Sequence, residues 1–246
     1  LLLLEPPEIT DFAGKGYLAD ISETMSSGDV AESFLGTSVS QLRPPDGKDY
    51  AAPWALINVK QQYNEQVYED AGISSPPTTW TEQLETNKKL QAAGVQPSWF
   101  GLDGTDANLW WRLTLALNAG FRTVTDDINL RHAEGWSYDS SDPDTINGEA
   151  YTADEKYVAF KNGITDPAKS EIYKGALDIL LELKPYTGDS AAWSVDNTKA
   201  AFIDGSLAQL IGVDSDLPRL DREAAEAGTN FTYGSVDLPA VTQAEW

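Results

Sequence analysis

Cysteine is absent from this 246-residue chain, and histidine and methionine occur once each. Without thiols there is no disulfide framework and no thiolate metal site. The single imidazole, His132, cannot supply a His-based zinc site and leaves almost no room for a Ser-His-Asp triad; it reads as a loop or surface residue. Cationic side chains are scarce: 17 Lys and Arg stand against 39 Asp and Glu, a formal net charge of -22 at pH 7. Nucleic acid is therefore excluded as a partner, since phosphate needs a basic face, and anionic lipid surfaces and polyanionic ligands are disfavoured. The acidity fits a solubility shell on a secreted protein better than adaptation to high salt, because Lys still outnumbers Arg.

Long apolar runs are missing too, so no stretch spans a membrane. The opening leucines, residues 1–4, are followed at once by Glu5-Pro6-Pro7 and lack the basic start and cleavage site of a signal peptide. They read as a short buried strand, and a chain that opens inside a strand reads as a piece of a longer one. What is present is a hydrophobic content of 41%, enough for the core of one large or two ordinary domains.

Local signals divide the chain into alternating elements. Pro6-Pro7-Glu8 starts a short helix that presents Ile9, Phe12 and Ala13, and Asp46-Gly47 marks a tight turn. An extended run over 50–63 reads as two strand pieces around Pro53, followed by a helix over 64–71 that stops at Gly72. Thr79 and Glu82 have the spacing of a capping box. It opens a helix that ends at Gly94 and buries Trp80. Residues 99–101 read as a short strand, and 108–118 as an apolar helix closed by Gly120. Residues 123–165 are rich in Asp, Ser and Gly and read as an irregular acidic insertion with one short helix near 155–160. Asp166-Pro167 reads as an N-cap with Pro at N1 of the next helix, stopped by Lys184-Pro185. Beyond it come a helix over 198–203, a buried strand over 207–213, a helix over 216–227 and a strand over 231–238. Strands alternating with helices predict an α/β fold.

Catalytic signatures are missing. Gly14-Lys15-Gly16 lacks P-loop spacing, Gly101 to Gly104 is no dinucleotide fingerprint, and no Gly-x-Ser-x-Gly elbow occurs. In so acidic a chain, carboxylate pairs carry no information about glycosidase chemistry. The run from Asp139 to Glu149 is oxygen-rich but breaks calcium-loop register, with Ile146 where a ligand belongs. No metal and no cofactor is expected.

The eight Trp are more informative. Sugars present apolar C–H faces and rings of hydroxyls, and their sites need flat aromatic platforms beside polar side chains. Trp54 has Asn58 nearby in sequence, and Trp99 has Asp103. Trp110 and Trp111 have Asp106, Asn108 and Arg112. Adjacent helical residues point about 100° apart, so one of Trp110 and Trp111 is core. Trp193 is a further platform candidate. Asp214 and Asp216 follow the strand over 207–213, where ligands gather in open α/β sheets, although either could simply cap the next helix.

Several segments taken together resemble the extracellular solute-binding proteins of family 1, maltose-binding-protein-like components of ABC importers. These are Gly16 to Ile21, Asp46-Gly47-Lys48-Asp49-Tyr50, Pro53-Trp54, Tyr63-Asn64, Pro77 to Glu82, Ala201 to Ala208, and Leu238-Pro239. The resemblance implies a two-lobed, periplasmic-binding-protein-like α/β fold, here incomplete. Hinge strands join the lobes and a ligand cleft lies between them. Residues 1–57 would form part of a first lobe and 58–246 a second. It also implies a sugar or oligosaccharide ligand, ABC permease partners, a monomer, no catalysis, and a periplasmic or lipid-anchored extracellular location. A glycoside hydrolase on an α/β scaffold is the alternative, as is the same binding fold with a polyol, glycerol-phosphodiester or peptide ligand. The ligand contacts implied are Trp54, Asn58, Asp103, Asp106, Asn108, Trp110, Trp111, Trp193, Asp214 and Asp216. A Trp often found in the family after the Ala201–Ala208 segment is replaced here by Asp214-Ser215-Asp216.

Overall fold

The computed structural model describes residues 2–34, 39, 42–54, 58–99, 108–124, 153–188, 195–213, 217–229 and 231–246. They fall into two units, one within Leu1–Leu56 and the other within Ile57–Tyr138 and Tyr151–Trp246. In the first unit, α1 (Pro6–Gly14) has Pro at its first turn and a reciprocal cap between Glu5 and Glu8, which satisfies free N–H groups at the helix start. Its Ile9 is 1% exposed. Two single-turn helices follow, α2 (Ser22–Met25) and α3 (Gly28–Ala31). The segments around Asp20 and Asp46–Tyr50 then bind each other. Ile21 N–H donates to the Asp49 carbonyl at 2.8 Å, Asp49 N–H donates to Ser22 Oγ at 2.9 Å, and Lys48 pairs with Asp20 at 2.9 Å. Hydrogen bonds from the Ser22 hydroxyl and amide, with Lys48 beside it, hold the Asp20 pKa at about 2. The Asp49 carboxylate is buried and takes two bonds from the Arg43 guanidinium.

The second unit is organised by an open three-stranded sheet of order β2-β1-β3, with β1 Val59–Asn64, β2 Gln209–Val213 and β3 Tyr233–Val236. Both pairings are antiparallel: Val59 faces Val213, and Gln61 faces both Ile211 and Val236. Period-two alternation puts Gln61, Tyr63 and Gln209 on one face and Gln62 and Leu210 on the other. The first face is covered by α5 (Trp80–Ala92) and α6 (Asn108–Arg122). Gln83 of α5 donates to Gln209 at 2.9 Å, and Arg112 of α6 donates to Gln61 at 3.0 Å. The other face is covered by α9 (Val195–Asp204) and α10 (Leu217–Ala227). Their Phe202, Leu220 and Ala224 form one cluster with Trp99 and Leu207, against which Leu210 packs.

Short-range signals place most of these elements. Asn64 caps α4 (Glu65–Asp70) by accepting from Val67 N–H at 3.1 Å. The Thr79–Glu82 capping box is present, and Trp80 is core at 3% exposure. Gly94 and Gly205 stand just past α5 and α9 with φ of 81° and 84°, the left-handed conformation glycine adopts without a Cβ penalty. The short helix predicted near 155–160 is α7 (Ala153–Lys161).

Several expectations need correction. Leu2 to Leu4 form no strand: Leu2 and Leu3 are 64% and 83% exposed, and no described strand pairs with them. Of the two strand pieces expected over 50–63, only β1 forms; residues 50–54 make no ladder bonds. Of the short strand expected over 99–101, Trp99 is not in a strand, and residues 100 and 101 lie outside the described residues. Asp166 and Pro167 do not open a helix. Asp166 caps a turn by accepting from Ala168 N–H, and α8 (Glu171–Leu181) begins after Ser170, whose hydroxyl accepts from Ile172 N–H. Pro185 lies in a 3₁₀ turn, Lys184–Tyr186, that follows α8. Gly120 does not close α6, which runs through it to Arg122. Of the region 123–165, residues 125–152 lie outside the described residues.

The last turn of the chain ties this layer together. Glu245 accepts from the amides and hydroxyls of Thr81 and Thr242 at 2.6 to 2.8 Å. Burial raises its pKa, but those four hydrogen bonds outweigh burial and hold it at about 2. A carboxylate held below its ordinary value stabilises the fold above that value and loses the effect as pH falls through the lowered one. In urea titrations the wild type is expected to lose about 1 kcal/mol more than Glu245→Gln as pH falls from about 4.5 to 2, a figure reduced for solvent screening. Parallel pH profiles for the two proteins would rule this out.

Candidate functional site

Antiparallel pairing brings the start of β1 to the same sheet edge as the ends of β2 and β3. Asn58, exposed, enters the sheet there, and Lys60 pairs with Asp237 across it. Beside this edge is a pocket of about 80 Å³ with Gln62, Trp99, Lys199, Val213, Leu217 and Leu220 in its walls. Trp99 and Gln62 are 4% and 3% exposed. Among the described residues, the indole N–H of Trp99 and the Nε2 of Gln62 are buried and have no hydrogen-bond partner. A larger, open hollow of about 440 Å³ lies at the opposite end of β1, between Asn64, Asp70, Val95, Asp204 and Phe231.

The residues singled out from sequence are spread over different settings. Trp54 is in the first unit and is 86% exposed. Trp110 is 62% exposed and Trp111 half-buried, so the two differ in exposure but neither is the core residue expected of the pair. Asn108 opens α6, but its side chain lies outside the described residues, as do Asp103, Asp106, Trp193, Asp214 and Asp216. Arg112, expected beside the Trp pair as a polar ligand neighbour, is instead 1% exposed. Its bond to Gln61 sets the first turns of α6 over β1, near the edge where Asn58 enters. Burial lowers the Arg112 pKa to about 10, with Tyr68 opposing the shift, and burial raises the Tyr68 phenol.

Sequence reasoning did not select Gln62 or Lys199, and it weighed Trp99 only through its neighbour Asp103. The available signal was the Gln61-Gln62 pair. Two adjacent amides in a strand must point to opposite faces, so a strand covered on both sides buries both. Gln83, Asn87 and Gln209 form a further buried amide cluster, with Gln83 donating to Asn87 at 2.7 Å and Gln209 donating to Asn87 at 3.2 Å.

A short sheet with helices on both faces and a small, half-apolar pocket at its edge defines a ligand-binding α/β module. Residues 1–216 match the model of the bacterial extracellular solute-binding proteins, and the chain belongs to that family. Its mixed helix-and-strand architecture matches part of that family's two-lobed, periplasmic-binding-protein-like α/β fold. The GacH receptor of Streptomyces glaucescens, solved unliganded and with acarbose, aligns with a TM-score of 0.62 at 18% identity, over 96% of this chain and 50% of its own. A Brucella abortus (strain 2308) protein, named no more specifically than a binding protein, is 24% identical over 238 residues, 94% of this chain and 47% of the relative. The diacetylchitobiose binding protein DasA of Streptomyces coelicolor is 37% identical over 71 residues, 29% of this chain and 16% of DasA. The chain thus spans about half the length of the long curated matches. Family and fold are those of binding proteins rather than enzymes.

Proposed function

We propose that this chain belongs to the substrate-binding component of an ABC importer, which captures a sugar or oligosaccharide and hands it to the membrane permease without chemical change. The observation that carries this reading is the family match across residues 1–216. The names of two relatives, one solved with acarbose and one a diacetylchitobiose binder, support carbohydrate over other solutes. The unit within residues 1–56 serves as part of one lobe and the larger unit as the other, with the crossing within 53–58. Ligand stabilises the closed form, and the permease reads that closure. Asn58, Trp54, Trp110 and Trp111 are the contacts proposed among the described residues, with Asp103, Asp106, Asn108, Trp193, Asp214 and Asp216 completing the set. The protein acts as a monomer on the outer face of the membrane, lipid-anchored or periplasmic. Among the described residues no helix is long and apolar enough to cross a membrane.

A thermal-shift screen of the full-length protein against mono- and oligosaccharides tests this directly. A bound sugar at 100 times its Kd adds roughly 2.7 kcal/mol of stability. Trp54→Ala is expected to weaken that sugar by about 1 kcal/mol through loss of ring contact. Its unliganded midpoint should not move, because the side chain is 86% exposed. A panel in which no sugar raises the midpoint would overturn the proposal.

A further inference from the structure

We propose that Arg112 is a positioning residue that holds Trp110 in place for the ligand, an inference that rests on the carbohydrate-binding reading above. Arg112 and Gln61 are 1% and 0% exposed, and the guanidinium donates to the Gln61 amide oxygen at 3.0 Å. Gln61 is a firm anchor. It lies in the central strand and is paired on both sides, with Ile211 and with Val236. The bond therefore ties the first turns of α6 to the middle of the sheet, across 51 positions of sequence.

A buried guanidinium carries a large desolvation cost that an aliphatic side chain of similar length avoids. What it supplies in return is direction. The apolar side of α6, with Ala116, Ala119, Leu109 and Leu113, packs against Ala176, Leu180 and Leu183. Apolar contacts are non-directional, so small side chains of this kind resist turning of the helix only weakly. A hydrogen bond weakens steeply as its angle bends, so the bond to Gln61 sets the rotation of α6 about its own axis. Successive helical residues are about 100° apart. With Arg112 aimed at the sheet, Trp111 falls about 100° to one side and Trp110 about 160° away, on the outer face. The exposures agree, half-buried for Trp111 and 62% for Trp110. Trp110 is thus the ring of the pair that a sugar reaches more readily, and its direction is set by a side chain buried from any sugar.

The test is calorimetry on the full-length protein with N,N′-diacetylchitobiose and acarbose as probes. Arg112→Met with Gln61→Leu replaces the polar pair by apolar side chains of similar size and keeps the core filled. This double variant is expected to bind a probe about threefold to fivefold more weakly, up to the loss that removing one aromatic contact causes. Trp110→Ala alone should lose about fivefold. Added to Trp110→Ala, the Arg112 and Gln61 changes should weaken binding by less than about 1.5-fold more, because a ring that is gone cannot be misplaced. A purely structural role for Arg112 gives losses that multiply. Arg112→Lys keeps the charge but not the planar fork, and serves in the same cycle if the apolar pair does not fold. A readout that needs no ligand is the indole ¹H–¹⁵N signal of Trp110, which should shift or broaden in the Arg112 variants. Multiplying losses, or an unmoved Trp110 signal, overturns this inference and leaves the carbohydrate reading intact. Failure of every sugar in the screen to bind, these two included, overturns both.

Discussion

Arg112→Ala is expected to destabilise the larger unit by about 3 kcal/mol or more, the sum of an orphaned buried acceptor and a cavity. The guanidinium is 1% exposed and donates to Gln61 Oε1 at 3.0 Å from below the sheet. Removing it leaves that amide oxygen buried with one partner fewer, and a void the length of an arginine side chain under β1. Its lowered pKa, about 10, reflects the same desolvation. Replacing both partners by apolar groups of similar shape is far less damaging than removing one. The pair Arg112→Met and Gln61→Leu should therefore recover part of what Arg112→Ala loses. Urea midpoints for the single and double variants give the coupling directly. A loss below about 1 kcal/mol for Arg112→Ala would show that the guanidinium contributes no more than an ordinary surface residue.

Gly120→Ala is expected to cost about 2 kcal/mol, although it places alanine, the best helix former, inside a helix. Propensity alone favours the change by about 1 kcal/mol. Packing opposes it: a Cβ at 120 would lie 2.4 Å from a Trp246 ring carbon and 2.7 Å from Ile172 Cγ2. Gly175 on α8 faces the same indole, with a Cβ position 3.0 Å from it. The two glycines form a notch where α6 and α8 meet, and the Trp246 ring fills it beside Ala116, Ala119, Ala176 and Val241. Overpacking of this kind costs about 1–3 kcal/mol, occasionally more, which exceeds the propensity gain. In a Trp246→Ala background the ring is gone, and Gly120→Ala should cost much less or become stabilising. Equal costs in both backgrounds would mean that Ile172, not Trp246, sets the limit.

These two sites show where sequence reading succeeds and where it stops. Thr79 with Glu82, Asn64 before α4, and Gly94 and Gly205 after their helices are legible because each makes its bonds within four residues. Gly120 looks like the same kind of stop signal. It is instead a packing residue whose reason lies on Trp246, far along the chain, and no local pattern reports that. Asp166-Pro167 misleads in the opposite way: the side chain finds its N–H acceptor role in a turn, and Ser170 takes the cap. The opening leucines read as buried on hydropathy alone, and hydropathy cannot supply the neighbours that would bury them. At the candidate site, helix geometry gives Trp110 and Trp111 different exposures, but it does not report that neither reaches the core. From sequence Arg112 reads as a polar neighbour of the Trp pair, whereas its contact with Gln61 places it inside. Trp99 and Gln62 come together only through the crossing of β1 with the loop before residue 100, which depends on tertiary structure.

The paired glutamines of β1 have a last consequence, for how the strand finds its place. In most strands a slip of one residue sends apolar side chains to the wrong face, and that penalty fixes the register. Here a slip would exchange Gln61 for Gln62, one amide for another, and hydrophobicity would scarcely register the error. Discrimination must come from surroundings that differ between the two faces: a guanidinium on one side, and the apolar cluster of α9 and α10 on the other. The polar interior of this sheet therefore acts as a key for alignment. Apolar replacements at both positions could strengthen the core while leaving β1 with two nearly equivalent ways to lie in it.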